Sequence, residues 1–250
     1  MRVVLLLFAL IGVTSTAGAE KLKVYAAAGV KAPFLKLAAD YESATNHTID
    51  VVFDTAGATN KSFLSDPAAA ILITSQALIA EGEKSGRLKN GVSYGLGDTV
   101  AGLAAPPGSP KPDISTTEKL RAALLSARRI AFSDPARGAT VGTHFMKMIE
   151  SMGIKDEVLK KATLAQDGVE TMRLVLEGQV DLGVTQTSEI VQANRAALVG
   201  PFPKEFDLAT TYSVWHGAPP SAAVKGFVAL LTGAAGRAAL AAEGLRPAER

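Results

Sequence analysis

The chain has 250 residues, with 26 basic and 24 acidic side chains, a formal charge of +2 and no cysteine. The lack of cysteine excludes disulfide bonds, thiol catalysis and cysteine-ligated metal sites. Because 48% of the residues are hydrophobic and 20% are charged, the composition is that of a folded globular protein. The basic surplus is too small to predict a nucleic-acid partner.

The N-terminal segment has the pattern of an export signal. Arg2 is followed by an almost unbroken apolar run from Val3 to Val13 and then by small residues that end at Ala19. This order predicts a secretory signal peptide over residues 1–19 with cleavage after Ala19, since a membrane span needs about 20 apolar residues. An uncleaved anchor is the alternative. The signal predicts a location in the bacterial cell envelope, and the segment is left out of the fold prediction.

Beyond the signal, strand-like runs alternate with amphipathic helical patterns. Pro33 fits the start of the first helix, because the first helical N–H has no partner in any case. An apolar stripe at positions 34, 37, 38 and 41 follows it. The alternation is typical of an α/β protein with a largely parallel sheet. Strands are predicted in this part at 22–26, 49–53, 71–73 and 100–105.

A second α/β unit is predicted after the breaker segment Pro106–Pro110. Ser115 and Glu118 form a capping box that predicts a helix start, and Gly153 and Gly178 predict two helix ends. The remaining strands are predicted at 129–132, 181–185 and 208–215, the last returning the chain to the first unit. We therefore expect two domains joined by a hinge of two crossings, one comprising 20–100 plus 208–250 and the other 101–207.

Four predicted strand-to-helix turns are built from small residues. The first turn of a helix offers unpaired N–H groups and about half a positive charge, and small side chains let a ligand approach that backbone. Because such turns meet at the cleft of an open α/β sheet, together they predict an anion site there. Tight turns and close helix packing are the alternative explanation. The turns are Ala26–Gly29, Thr55–Thr59, Gly138–Gly142 and Thr185–Ser188.

Six segments carry a family resemblance through their order and spacing: 24–28, 53–58, 69–74, 134–142, 165–167 and 181–185. Together they resemble the turns and strands of the periplasmic molybdate-binding proteins, a branch of the type II solute-binding proteins that supply ABC importers. The resemblance implies an α/β type II periplasmic binding protein fold with the ligand cleft between two domains. It also implies a monomer in the periplasm, an inner-membrane permease as partner, a small anionic ligand and no cofactor.

The resemblance fails at the positions where the family's hydroxyl groups bind the oxyanion. These positions hold Gly29, Ala56 and Gln186. A lost hydrogen bond to a charged group costs about 1.5 to 3 kcal/mol, so we expect a different ligand, a small organic carboxylate. A genuine molybdate or tungstate binder and a periplasmic receptor for a sensor are the alternatives.

The predicted ligand-binding residues combine backbone donors with polar side chains. Arg137 or His144 would pair with a carboxylate, and Gln186 would form hydrogen bonds with a carboxylate or a hydroxyl group. An exposed loop cation is the alternative for Arg137. Thr187 and Ser188 are further hydroxyl donors. The full predicted set is Gly29, Thr55, Ala56, Thr59, Arg137, Thr140, Val141, Gly168 and Gln186.

One motif points to catalysis instead. Gly91–Gly95 matches the G-x-S-x-G pattern of a serine nucleophile at Ser93. That motif needs a strand before the serine and a helix after it, whereas turns are predicted at 87–90 and at 96–98. The three histidines also lack metal-site spacing. We therefore expect a protein that is not an enzyme, with no catalytic residue and no metal.

Overall fold

The computed structural model describes residues 18–247. Residues 1–17 of the predicted signal peptide lie outside the described residues. The strands are β1 (Lys21–Ala27), β2 (Thr48–Asp54), β3 (Ala69–Ser75), β4 (Gly91–Ala104), β5 (Ile130–Ser133), β6 (Ala162–Ala165), β7 (Leu182–Gln186), β8 (Leu198–Pro201) and β9 (Ala209–Gly217). The helices are α1 (Lys31–Ala44), α2 (Ala56–Ser65), α3 (Gln76–Lys84), α4 (Thr117–Ser126), α5 (Thr140–Ser151), α6 (Lys155–Leu159), α7 (Gly168–Leu176), α8 (Thr187–Asn194), α9 (Ala222–Thr232) and α10 (Ala234–Ala242).

The strands form a mixed sheet in the order β2-β1-β3-β9-β4-β7-β5-β6, with β8 paired to β4. Pairing is parallel between β1 and its neighbours β2 and β3, and between β5 and its neighbours β6 and β7. Every pairing of β4 and β9 is antiparallel. The prediction of a largely parallel sheet is therefore right for the two outer parts and wrong for the centre, where β9 runs back along β4.

Two groups of buried side chains lie on either side of β4 and β9. In the first half, Phe34 and Phe227 pack edge to face with ring centroids 5.4 Å apart. In the second half, Phe132 and Phe145 pack with centroids 4.9 Å apart. β4 carries the chain from the first half to the second, and β9 carries it back. The assignment of these halves to two domains joined by a hinge stays a prediction.

Two local predictions need correction. β4 begins at Gly91 rather than near residue 100, so the turn predicted at 96–98 is strand, with a register shift between Gly95 and Gly97. Ser93 pairs with Trp215 inside this strand, which is not the strand-to-helix turn of a nucleophile. The N-cap of α4 is Thr116, whose hydroxyl accepts from the N–H of Lys119 at 3.3 Å, rather than Ser115.

In the part of the chain from 18 to 247, no single helix is long and apolar enough to cross a membrane. The pair α9 and α10 would reach the required length and hydropathy only if counted together, and it is bent by 53°.

Candidate functional site

A small cavity lies where β1, β5 and β7 end and where α2, α5 and α7 begin. Its solvent space is about 30 Å³, enough for one or two water molecules, so a larger ligand enters only if the surrounding elements move apart. The sheet order brings these ends together although they are far apart in sequence, as is usual for clefts in α/β proteins. The cavity is lined by Ala28, Thr55, Ala56, Ser133, Ala139, Thr140, Val141, Gly168, Thr185, Gln186, Glu189 and Tyr212.

Two helix N-termini point unpaired amides at this cavity. The N-cap of α5 is Ala139, which has no side chain that can accept from the first turn. The N-cap of α7 is Asp167, whose carboxylate accepts from the N–H of Glu170 at 2.8 Å and leaves the first amide, that of Gly168, without this partner. Since Thr140 and Gly168 begin their helices, their N–H groups have no partner within the helix. An anion placed here would meet backbone donors and the positive ends of two helix dipoles.

Glu189 on α8 is the one acidic side chain of the cavity lining. It is only 7% exposed. Its Oε2 accepts from the hydroxyl of Thr185 and from the N–H of Gln186 at 3.2 Å. Its Oε1 accepts no hydrogen bond from residues 18–247. A Cβ atom built on Gly168 would overlap the Glu189 carboxylate, so the α7 backbone fixes this side chain in place. Burial raises the pKa of Glu189 to about 7, since the loss of water outweighs the two hydrogen bonds it accepts.

Tyr212 enters the cavity from β9 through the space that Gly29 leaves. A Cβ atom on Gly29 would overlap the hydroxyl and ring of Tyr212. Burial, reinforced by the nearby Glu189, raises the pKa of Tyr212 well above its usual value, so this hydroxyl keeps its proton. A serine hydroxyl is absent at position 29, but a phenol hydroxyl stands beside it.

Gln186 is a second buried polar side chain of the cavity. It is 3% exposed, and its Nε2 donates to the hydroxyl of Thr210 at 3.1 Å. Its Oε1 has no hydrogen bond of normal geometry among the described residues, but the side chain closes the capping box of α8 with the N–H of Glu189. Gln186 therefore combines a role at the start of α8 with a place in the cavity lining.

The two halves touch directly around the cavity. The N–H of Gly57 donates to the carbonyl of Gly138 at 3.1 Å. The Arg137 guanidinium contacts both carboxylate oxygens of Asp54 through one nitrogen, at 2.7 and 2.9 Å. Gln192 accepts from the N–H of Ala32 at 2.9 Å and donates to the carbonyl of Gly29 at 2.7 Å. These contacts join the two halves around the cavity.

The structure brings six of the nine predicted site residues to the cavity: Thr55, Ala56, Thr140, Val141, Gly168 and Gln186. Gly29 lies behind Tyr212, and the hydroxyl of Thr59 donates to the carbonyl of Thr55 within α2. Arg137 pairs with Asp54 at the rim. His144 lies elsewhere, with its Nε2 2.8 Å from the carbonyl of Phe206. A binding role for the nine residues stays a prediction.

Sequence reasoning missed the side chains that give the cavity its polarity. Glu189 follows Gln186 at the spacing of a capping box, which was a readable signal for a carboxylate folded back onto this turn. Tyr212 gave no local signal, because its place depends on the pairing of β9 with β3. Ser133 is a further lining residue that was missed, whereas Ala28, Ala139 and Thr185 lie in the predicted small-residue turns. Within residues 18–247, no group of three or more metal-binding side chains is arranged to hold a metal ion.

The chain resembles several known proteins in sequence and in fold. The family model described as "Bacterial extracellular solute-binding protein" matches residues 22–246. The chain is 27% identical over 198 residues to an aconitate isomerase from a Pseudomonas species, covering 77% of this chain and 74% of that protein. The periplasmic molybdate-binding protein of Azotobacter vinelandii is 17% identical, with a TM-score of 0.74. PEB3 of Campylobacter jejuni, bound to L-phospholactate, is 17% identical, with a TM-score of 0.65.

Both structural alignments cover 91% of this chain and 100% of the other. At such identities the likeness concerns the fold alone. It confirms the α/β type II periplasmic binding protein fold that the sequence predicts.

Proposed function

The chain belongs to the bacterial extracellular solute-binding proteins, as a divergent relative of the molybdate-binding type, and we propose that it captures a small organic carboxylate in the cavity between its halves. The observation that supports this is that the unpaired first amides of α5 and α7 lie at the same small cavity as the buried side chains of Glu189 and Gln186. In this proposal the signal peptide of residues 1–19 directs the protein to the periplasm. The domains 20–100 plus 208–250 and 101–207 then close on the ligand, and an ABC-importer permease receives it.

The lining favours a carboxylate that also carries a hydrogen-bond donor over molybdate. Tyr212 and the amides of Thr140 and Gly168 are donors for a carboxylate, whereas Glu189 offers an acceptor that molybdate leaves unsatisfied. The named ligands of similar proteins are carboxylates too. PEB3 is recorded with L-phospholactate, and the Pseudomonas relative acts on aconitate. Both molecules carry carboxylate groups.

A ligand screen tests this function. We expect lactate, malate or another small carboxylate to raise the melting temperature of the mature chain, and molybdate, tungstate and sulfate to leave it unchanged. A ligand at 100 times its Kd adds about 2.7 kcal/mol, which corresponds to a shift of about 5 to 10 °C for a chain of this size. Stabilisation by molybdate and tungstate alone would show that the backbone amides suffice without the lost hydroxyl groups, and would overturn the carboxylate proposal.

The backbone donors can be tested by one matched pair of variants. Thr140 is the first residue of α5, and Ala139 before it is extended, with φ −70° and ψ 116°, so proline fits at position 140. Thr140→Pro removes both the N–H and the hydroxyl, whereas Thr140→Val removes the hydroxyl alone. We expect the proline variant to bind the screened ligand about tenfold to hundredfold more weakly than the valine variant, measured by calorimetry. Equal affinities would remove this amide from the site.

A second candidate function is isomerisation of an unsaturated carboxylate, favoured by Glu189. Its pKa of about 7 lets it accept and return a proton near neutral pH inside an anion-binding cavity. In such a reaction Glu189 would take a proton from the carbon next to the double bond and return it to the far alkene carbon. Proton NMR of cis- and trans-aconitate in deuterated buffer tests this. Interconversion with deuterium uptake, lost in Glu189→Gln, would support catalysis, and its absence would leave binding alone.

A further inference from the structure

We infer that Glu189 makes the cavity selective for anions that present a hydrogen-bond donor, a hydroxyl or a protonated acid group, and that it rejects anions that carry none. The inference rests on the proposed function only in that an anion enters this cavity. It names the chemistry that such an anion must have, and it is an alternative to the isomerisation candidate, because fully ionised aconitate carries no hydrogen-bond donor.

The first argument is geometric. Oε2 of Glu189 is occupied by the hydroxyl of Thr185 and the N–H of Gln186, while Oε1 accepts nothing from the described residues. The side chain cannot turn away easily, because its carboxylate sits against the backbone of Gly168. A fixed acceptor therefore faces the same enclosed space as the amides of α5 and α7.

The second argument is that Gln186, beside Glu189, does not satisfy this oxygen. The Nε2 of Gln186 donates to the hydroxyl of Thr210 at 3.1 Å, and its side-chain oxygen lies at the N–H of Glu189 in the capping box of α8. A molecule that fills the cavity must therefore satisfy Oε1 of Glu189 as well as several donors. A hydroxyl group next to a carboxylate does so, whereas sulfate or propionate does not.

The third argument concerns charge. Asp167 at the N-cap of α7 and Tyr212 on β9 are the titratable groups that bear on Glu189 inside the site. Lys31 at the start of α1 lines an adjoining groove that Glu189 also borders. No Lys, Arg or His belongs to the cavity lining formed by the described residues. An ionised Glu189 would thus repel an anion that has no hydrogen-bond donor. The cavity lining holds no cation to offset this repulsion, and little water to screen it.

This arrangement predicts a pH dependence of a particular sign. Above about pH 7 Glu189 is ionised and acts only as an acceptor, so selectivity for donor-bearing anions is greatest there. Below that pH Glu189 gains a proton and itself becomes a donor. Anions without a donor should then gain affinity, and the selectivity should shrink.

Calorimetry on matched ligand pairs tests the inference. The pairs are lactate and propionate, malate and succinate, and hydrogen phosphate and sulfate, each measured at pH 8 and pH 5.5. We expect the donor-bearing member of a pair to bind about a hundredfold more tightly at pH 8, since a site built to hydrogen-bond a hydroxyl group rejects analogues that lack it. We expect Glu189→Gln to reduce that ratio at least tenfold. Glu177→Gln, which removes an exposed carboxylate at the end of α7, should leave it unchanged.

The outcomes separate this inference from the proposed function. Binding of hydrogen phosphate but neither sulfate nor any organic acid would support the role of Glu189 and overturn the carboxylate proposal. Equal binding of both members of a pair at both pH values would overturn the role of Glu189 and leave the carboxylate proposal standing. Binding of no member of any pair would overturn both. If Glu189→Gln does not fold, the affinity ratios of the ligand pairs and their pH dependence in the unaltered protein test the role of Glu189.

Discussion

Replacing Gly57 with alanine should weaken ligand binding on the order of a hundredfold while the protein still folds. Gly57 in α2 and Gly138 before α5 touch where the two halves meet beside the cavity, and a Cβ atom on Gly57 would lie 2.7 Å from the Cα of Gly138. The atoms that would clash are backbone atoms of Gly57 and Gly138, and no flexible side chain can move to relieve the clash. The halves must therefore separate to make room for the methyl group. Overpacking of this kind costs about 1 to 3 kcal/mol, and the cost falls on the closed form that holds the ligand.

Calorimetry with the screened ligand measures this effect, and the unfolding transition without ligand checks the fold. Gly200→Ala is the matched control, because a Cβ atom there meets only the tip of Ile114 at 3.8 Å. We expect the control to bind like the unaltered protein. If Gly57→Ala also does so, closure at this contact is not required for binding.

The free energy of unfolding should fall by about 3 kcal/mol as the pH rises from below 4.5 to above 7, through Glu189 alone. The pKa of this carboxyl rises from 4.5 to about 7 in the folded protein. Between these values the folded chain holds a proton that the unfolded chain has released, so folding loses stability as the pH rises through the interval. The gap between the two pKa values sets the size of the effect.

Urea unfolding of the ligand-free protein over this pH range measures the effect. Other groups titrate too, so the relevant quantity is the difference between the unaltered protein and Glu189→Gln, which has no proton to lose at this position. The difference should change by about 3 kcal/mol across the interval. Parallel pH profiles of the two proteins would show that Glu189 is not a buried titrating group.

Short-range patterns predicted most of the secondary structure. The apolar stripe of α1 follows from helical periodicity. The ends of α5 and α7 follow from Gly153 and Gly178, each with a φ of +67°. Such features depend on neighbours within a few residues, and so does the placing of small-residue turns at strand ends.

The centre of the sheet could not be predicted in the same way. Whether β9 runs parallel or antiparallel to β4 depends on contacts between segments about a hundred residues apart. The stretch from Gly91 to Asp98 contains three glycines, a serine and an aspartate, and resembles a turn. It is a strand because β9 pairs with it from Gly217 to Thr211.

The candidate site, too, has features that depend on local sequence and features that depend on long-range contacts. The amides of Thr140 and Gly168 belong to helix starts and were predicted from local sequence. Arg137 was predicted as a ligand partner, but Asp54 of the other half occupies its guanidinium, and that pairing depends on how the halves meet. Tyr212 fills the space beside Gly29 for the same long-range reason.

A crystal structure of the mature chain with the strongest ligand of the screen tests the central claim most directly. We expect the ligand inside the cavity, with a carboxylate on the amides of Thr140 and Gly168, and with a donor on Oε1 of Glu189. The contact between Gly57 and Gly138 should be present. A ligand bound elsewhere on the protein, or held in the cavity without these amides, would contradict the account.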